Sequence, residues 1–145
     1  MDIRIKKLRE DAVIPTYATV GSAGADLYAC LDQDITIKHG TSAFIPCGFA
    51  MAIPEGYVGL VYARSGLASK KGLAPSNKVG VIDSDYRGEI TVSLFNHSSE
   101  DRVIQKRERI AQLVIAPVIQ ANFDLVEELD QTQRGQGGFG STGRE

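Results

Sequence analysis

Asp83 and Asp85 stand two positions apart in the run Gly80-Val81-Ile82-Asp83-Ser84-Asp85-Tyr86-Arg87-Gly88, enclosed by two glycines where the backbone could fold as a tight hairpin. In extended backbone that spacing puts both carboxylates on one face. Two like charges held that close need a reason, such as a metal, a cationic partner or catalytic work. A solvated acidic turn is the plain alternative, and it leaves Ile82 and Tyr86 beside the acids unexplained. Earlier in the chain, Ala63-Arg64-Ser65-Gly66-Leu67 follows an alternating apolar segment. A strand leading into Arg-Ser-Gly and a short helix would aim backbone N–H groups, a hydroxyl and a guanidinium at one point, a cradle for phosphate oxygens. On this segment alone an N-capping Ser65 with a surface Arg64 is an equal reading.

Three further segments carry polar residues that a β-core does not need. Ala23-Gly24-Ala25-Asp26-Leu27 feeds an acid from a turn into a strand, although an Asp at a turn usually just caps backbone N–H groups. In Arg109-Ile110-Ala111-Gln112-Leu113 a Gln interrupts an apolar strand. Once buried it must be hydrogen-bonded, so it either ties a loop or reaches into a site. From Gly135 to Gly143 five of nine residues are Gly, with Arg134 ahead of them and Phe139, Ser141 and Thr142 inside. A disordered tail is the common meaning of such a stretch. The arginine and the aromatic make it unlike a plain linker, and suggest a flap that closes over a ligand.

The elements that must position these residues read as strands. Ile3 and Ile5 alternate with Arg4 and Lys6, Val58, Leu60 and Tyr62 share one face of a run, and Ile90, Val92 and Leu94 alternate with Thr91, Ser93 and Phe95. The run Leu113-Val114-Ile115-Ala116 predicts a strand buried on both faces. Frequent turn residues keep every strand short. Helix signal is confined to a turn or two over Ser65 to Lys71. The fold class expected is all-β, a sandwich or barrel with one short helix.

Composition narrows the partners. With 145 residues the chain fits one domain, and a net charge of −2 makes it no electrostatic magnet for nucleic acid. Any polyphosphate must therefore meet local positive charge or bring a metal ion. Cys30 and Cys47 are too few for a structural zinc site; a disulfide between them is the alternative that nothing forces, and two buried thiols in a reducing cytosol is the expected state. The longest mostly apolar stretch, Phe44 to Ile53, is broken by Pro46 and Gly48, and the N-terminus lacks a signal-peptide core, so a cytoplasmic protein without membrane contact is expected.

In this order and spacing, the segments Ala23–Leu27, Ala63–Leu67, Gly80–Gly88, Arg109–Gln112 and Arg134–Gly143 resemble the five signature motifs of the trimeric dUTPase family, in its compact bacterial form. The resemblance spans essentially the whole chain. It implies a jelly-roll homotrimer that hydrolyses dUTP to dUMP and pyrophosphate with Mg²⁺, limiting uracil in DNA and supplying dUMP for thymidylate synthesis. It also implies active sites shared between subunits, with residues 1–133 as the β-domain and 134–145 as the closing flap. By the same resemblance, Asp83 matches the general base that activates water at the α-phosphorus. Asn77 and the backbone of 79–90, including Gly80, Val81 and Ile82, match the uracil reader, and Tyr86 the residue under the deoxyribose. Arg64, Ser65 and Gly66 match the phosphate cradle. Gln112 and Asp26 match positions that orient phosphate, catalytic water or metal-bound water. Phe139 would stack on uracil, while Arg134, Ser141 and Thr142, with Gly140 among them, would grip the γ-phosphate. Magnesium would sit on the phosphates and waters, with no direct protein ligand.

Ala63 stands where many relatives have Pro, which removes no functional group. His39 and His97 match no catalytic position. A dCTP deaminase would need a Glu beside Arg64-Ser65, and the chain continues Gly66-Leu67-Ala68 instead. A non-catalytic nucleotide sensor of the same shape would not need the acid and the tail that are both present here. A P-loop NTPase fails because no Gly-x-x-x-x-Gly-Lys-Ser/Thr run occurs.

Overall fold

Short alternating runs closed by Gly or Pro can bury their apolar faces only by pairing into sheets around a shared core. The computed structural model describes residues 1–138, and twelve strands and one helix lie within them. The first six strands are β1 (Arg4–Lys7), β2 (Thr16–Tyr17), β3 (Ala25–Tyr28), β4 (Ile35–Ile37), β5 (Ser42–Pro46) and β6 (Phe49–Ala52). After β7 (Tyr57–Tyr62) comes the helix α1 (Ser65–Lys71), followed by β8 (Leu73–Pro75), β9 (Gly80–Ile82), β10 (Thr91–Asn96), β11 (Arg102–Ile104) and β12 (Arg109–Pro117). One sheet runs β2-β3-β12-β7-β9 and a second β5-β10-β8, with the pairs β1-β6 and β11-β4 beside them. Every registered pairing is antiparallel. The chain crosses between sheets so that β12, late in sequence, lies between β3 and β7. This is an all-β, jelly-roll-like fold.

Leu27, Ile37, Ile45, Phe49, Leu94, Ile104 and Ile110 are fully buried and form the centre of the core. The expected alternation holds in β10, where Val92 and Leu94 are buried and Thr91 is exposed. In β7 the core face is Gly59 and Val61, while Val58, Leu60 and Tyr62 share the opposite, half-buried face. In β12 Leu113 is buried but Val114, Ile115 and Ala116 are only half-buried in the single chain. The helix covers the expected residues. It ends where Gly72 takes a left-handed conformation (φ 67°), its N–H returning to the carbonyls of Leu67 and Ala68.

Cys30 and Cys47 are both buried and unpaired. Burial raises both thiols, Cys47 to about 12. Among the described residues no helix is long and apolar enough to cross a membrane.

Candidate active site

Strand register brings the first group of polar residues together. On β12, Gln112 lies opposite Asp26 of β3 on one side and Tyr62 of β7 on the other. The Asp26 side chain is only 12% exposed, so its charge must be compensated in place. Oδ1 accepts a hydrogen bond from Arg64 Nε at 2.8 Å, and Oδ2 accepts one from Arg109 Nη1 at 3.1 Å. Two guanidiniums on one carboxylate leave a local surplus of one positive charge, in a chain whose net charge is negative.

Gln112 does tie a loop. Its Nε2 donates to the carbonyl of Ala63 at 2.8 Å, directly before Arg64, Ser65 and Gly66. A side chain at Gly24 would remove the room for this, since a Cβ there would fall 2.6 Å from Gln112 Oε1. The capping reading of Ser65 is not what the structure has. Arg64 is the N-cap residue of α1, no side chain caps the helix, and Ser65 and Gly66 are exposed. The Ser65 hydroxyl therefore stays available.

A second group lines a cleft of about 230 Å³: Asn77, Gly80, Val81, Ile82, Asp83 and Tyr86 all border it. Its size is below the roughly 300–1,000 Å³ of drug-sized sites and suits a single base with its sugar. The segment is not the self-paired hairpin expected from sequence. Strand β9 pairs with β7, β10 pairs with β5 and β8, and residues 83–88 cross between the sheets as a turn. Tyr86 N–H donates to Asp83 O (3.2 Å), and Arg87 Nη1 folds back onto Ser84 O (2.6 Å). Because the backbone turns here, the two acids part. Asp83 borders the cleft and Asp85 does not, though both border an open groove on the other side. Strand β9 is a sheet edge, so the side facing away from β7 presents backbone N–H and C=O groups for a ligand.

Within one chain the two groups do not merge. None of Asp26, Arg64, Ser65, Gly66 and Gln112 borders the cleft. Arg134 is exposed and donates to Gly137 O at 2.9 Å, a local turn. Phe139, Gly140, Ser141 and Thr142 lie outside the described residues. Sequence alone assigns no role to Arg109 or Glu89. Arg109 shares Asp26 with Arg64, and Glu89 accepts the Gly48 N–H at 2.8 Å. A charged residue three positions before Gln112, at the mouth of an apolar strand, was the available signal for Arg109.

No three His, Cys, Asp or Glu side chains converge among the described residues, and both Asp26 oxygens are engaged by guanidiniums. The described residues by themselves thus offer no carboxylate cage.

A family model described as dUTPase matches residues 10–143. The chain is 50% identical over 141 residues to a deoxyuridine 5'-triphosphate nucleotidohydrolase of Syntrophotalea carbinolica, covering 97% of this chain and 96% of that one. It is 48% identical over 145 residues to the protein of the same name from Burkholderia mallei, covering 99% and 98%. Among solved structures, a variant dUTPase of Staphylococcus bacteriophage 80alpha with dUpNHpp aligns at a TM-score of 0.86 with 30% identity, covering 98% of both chains. A variant dUTPase of phage phi11 of S. aureus, described with a structural Mg(II) ion, aligns at 0.78 with 27% identity, covering 88% of this chain and 98% of that one. Matches of this length and identity leave one assignment: the chain belongs to the dUTPase family.

Proposed function

We propose that this chain hydrolyses dUTP to dUMP and pyrophosphate, with Asp83 as the base, β9 as the reader of uracil and the Arg64–Gly66 turn as the phosphate cradle. The observation that carries this is the cleft itself, in which an exposed carboxylate, a tyrosine and a free sheet edge meet in a space of base-and-sugar size. Uracil presents acceptor, donor, acceptor along one edge (O4, N3–H, O2). A strand edge offering N–H, C=O and N–H answers that pattern, and cytosine reverses part of it. Close packing around the half-buried Ile82 would refuse the thymine methyl, and Tyr86 under the deoxyribose would refuse a 2′-hydroxyl.

In the reaction Asp83 takes a proton from water as the water oxygen bonds to the α-phosphorus. The bond from that phosphorus to the α–β bridging oxygen breaks, and pyrophosphate leaves with the electron pair. Arg64 and the Ser65 hydroxyl face the charge that grows on the leaving group. Bound Mg²⁺ would help neutralise the same charge. The products fit limitation of uracil in DNA and supply of dUMP.

The site would be completed by a homotrimer. Two features support this: the cradle and the cleft stay apart in one chain, and residues beyond Val118 leave the β-body. The Val118 N–H to Gly56 O bond is the last backbone tie to that body among the described residues. Beyond it Phe123, Leu125 and Leu129 are more than four-fifths exposed, apolar surface that neighbouring subunits would cover. Residues 134–145, with Phe139, Gly140, Ser141 and Thr142, would then close over a neighbour's nucleotide. A cytoplasmic location belongs to this reading, supported by two unpaired thiols.

The test is hydrolysis in water labelled with heavy oxygen. Label on dUMP supports attack at the α-phosphorus, and label on pyrophosphate contradicts it.

A further inference from the structure

Tyr86 is held from two sides. Its hydroxyl donates to the carbonyl of Glu89 at 3.0 Å, and the Glu89 carboxylate accepts the Gly48 N–H at 2.8 Å, so the residue that receives the phenol is itself pinned to the β5–β6 turn. The ring lies over Gly88. A Cβ placed on Gly88 would fall 2.6 Å from Tyr86 Cζ and 3.0 Å from Cε2, and would also strike the hydroxyl oxygen. All three of the nearest atoms belong to Tyr86. The Gly88 backbone is not in the left-handed region, so its conformation does not require glycine. The space above it does. Tyr86 is 46% exposed, so a methyl group at 88 can push the ring aside instead of breaking the fold.

We infer that Gly88 is a specificity-determining positioning residue, seating the Tyr86 ring with the help of the Glu89 carbonyl so that the sugar face of the cleft has a fixed wall. This rests on the dUTP reading above, in which Tyr86 lies under the deoxyribose. A displaced ring leaves room for a 2′-hydroxyl, so Gly88→Ala admits ribonucleotide. Gly88 touches no substrate in this scheme; it acts through Tyr86.

The experiment is a double-mutant cycle read as the ratio of kcat/KM for dUTP to that for UTP. It uses the full chain, Gly88→Ala, Tyr86→Ala and the double variant, with thermal unfolding to confirm folding. Gly88→Ala is expected to lower the ratio about tenfold or more. In the Tyr86→Ala background the same change is expected to add less than about twofold, because its target is gone. A wild-type ratio in folded Gly88→Ala, or equal effects of the change in both backgrounds, overturns the inference. If Gly88→Ala does not fold, Tyr86→Phe decides: it keeps the ring and loses the bond to Glu89. A lowered ratio supports the seat and an unchanged one overturns it. Wild-type protein that fails to hydrolyse dUTP, or hydrolyses UTP equally well, refutes the underlying reading instead.

Discussion

Gln112 holds Ala63. The amide nitrogen of a side chain in the middle of the largest sheet donates 2.8 Å to the carbonyl just before Arg64, Ser65 and Gly66, so strand β12 sets where the proposed cradle begins. The neighbouring strand β3 sets where its guanidinium points, through the 2.8 Å bond from Arg64 to Asp26. The turn proposed as the cradle is thus held in place by the chain's own hydrogen bonds, as electrostatic stabilisation of a leaving group would require.

Gln112→Glu keeps the size of the side chain and removes the donor. The expected result is a loss of about 1–3 kcal/mol in stability, because the Ala63 carbonyl loses its donor and faces a carboxylate oxygen instead. A fall in kcat/KM for dUTP of roughly tenfold should accompany it as the cradle loosens. Chemical denaturation and steady-state kinetics read both. Unchanged kinetics would show that the Ala63 tie is structural only.

Asp83→Asn keeps the shape of the cleft mouth and removes the proton acceptor. Turnover should fall by roughly 10²–10⁴-fold, the usual share of a general base. Affinity for dUpNHpp, measured by calorimetry, should stay within about threefold. Near-normal turnover would assign the base elsewhere.

Several of these features were legible in the sequence. The helix α1 showed in Leu67, Ala68, Lys70 and Lys71, and β10 in the alternation of Val92 and Leu94, because both patterns are local. The six cleft residues also came from one continuous stretch. The clamp on Asp26 could not be read, because its partners lie 38 and 83 positions away and meet only through strand order. The pairing of β9 with β7 was hidden for the same reason, and with it the separation of Asp83 from Asp85. The role of Gly88 was invisible because a glycine kept for its neighbour's ring looks the same in sequence as one kept for a turn.

Truncation after Gln133 removes Arg134 and everything beyond it. A folded trimer with little dUTPase activity is expected, since no hydrogen bond from the described residues 134–138 reaches the β-body. Sedimentation and an activity assay check it. Full activity in the truncated chain would refute the flap.

Acid should weaken the N-terminal ion cluster. Arg9 and Lys106 hold the Asp11 carboxyl well below its usual range, and Arg9 lowers Asp32. A carboxyl depressed in the folded state contributes stability that is present above about pH 4 and lost as pH falls below it. Asp11→Asn should therefore lower the urea midpoint at about pH 6 and narrow the gap between about pH 6 and about pH 3. A variant whose midpoint falls by the same amount at both pH values would contradict this linkage.

The most direct test of the whole reading is pyrophosphate release with Mg²⁺ from dUTP, dCTP, dTTP and UTP measured in parallel on the wild-type protein. Rapid release from dUTP alone is the predicted result, and it would support the β9 edge, the tight wall and the Tyr86 seat together. Comparable release from dCTP or UTP, or none from any of the four by a folded trimer, would contradict it.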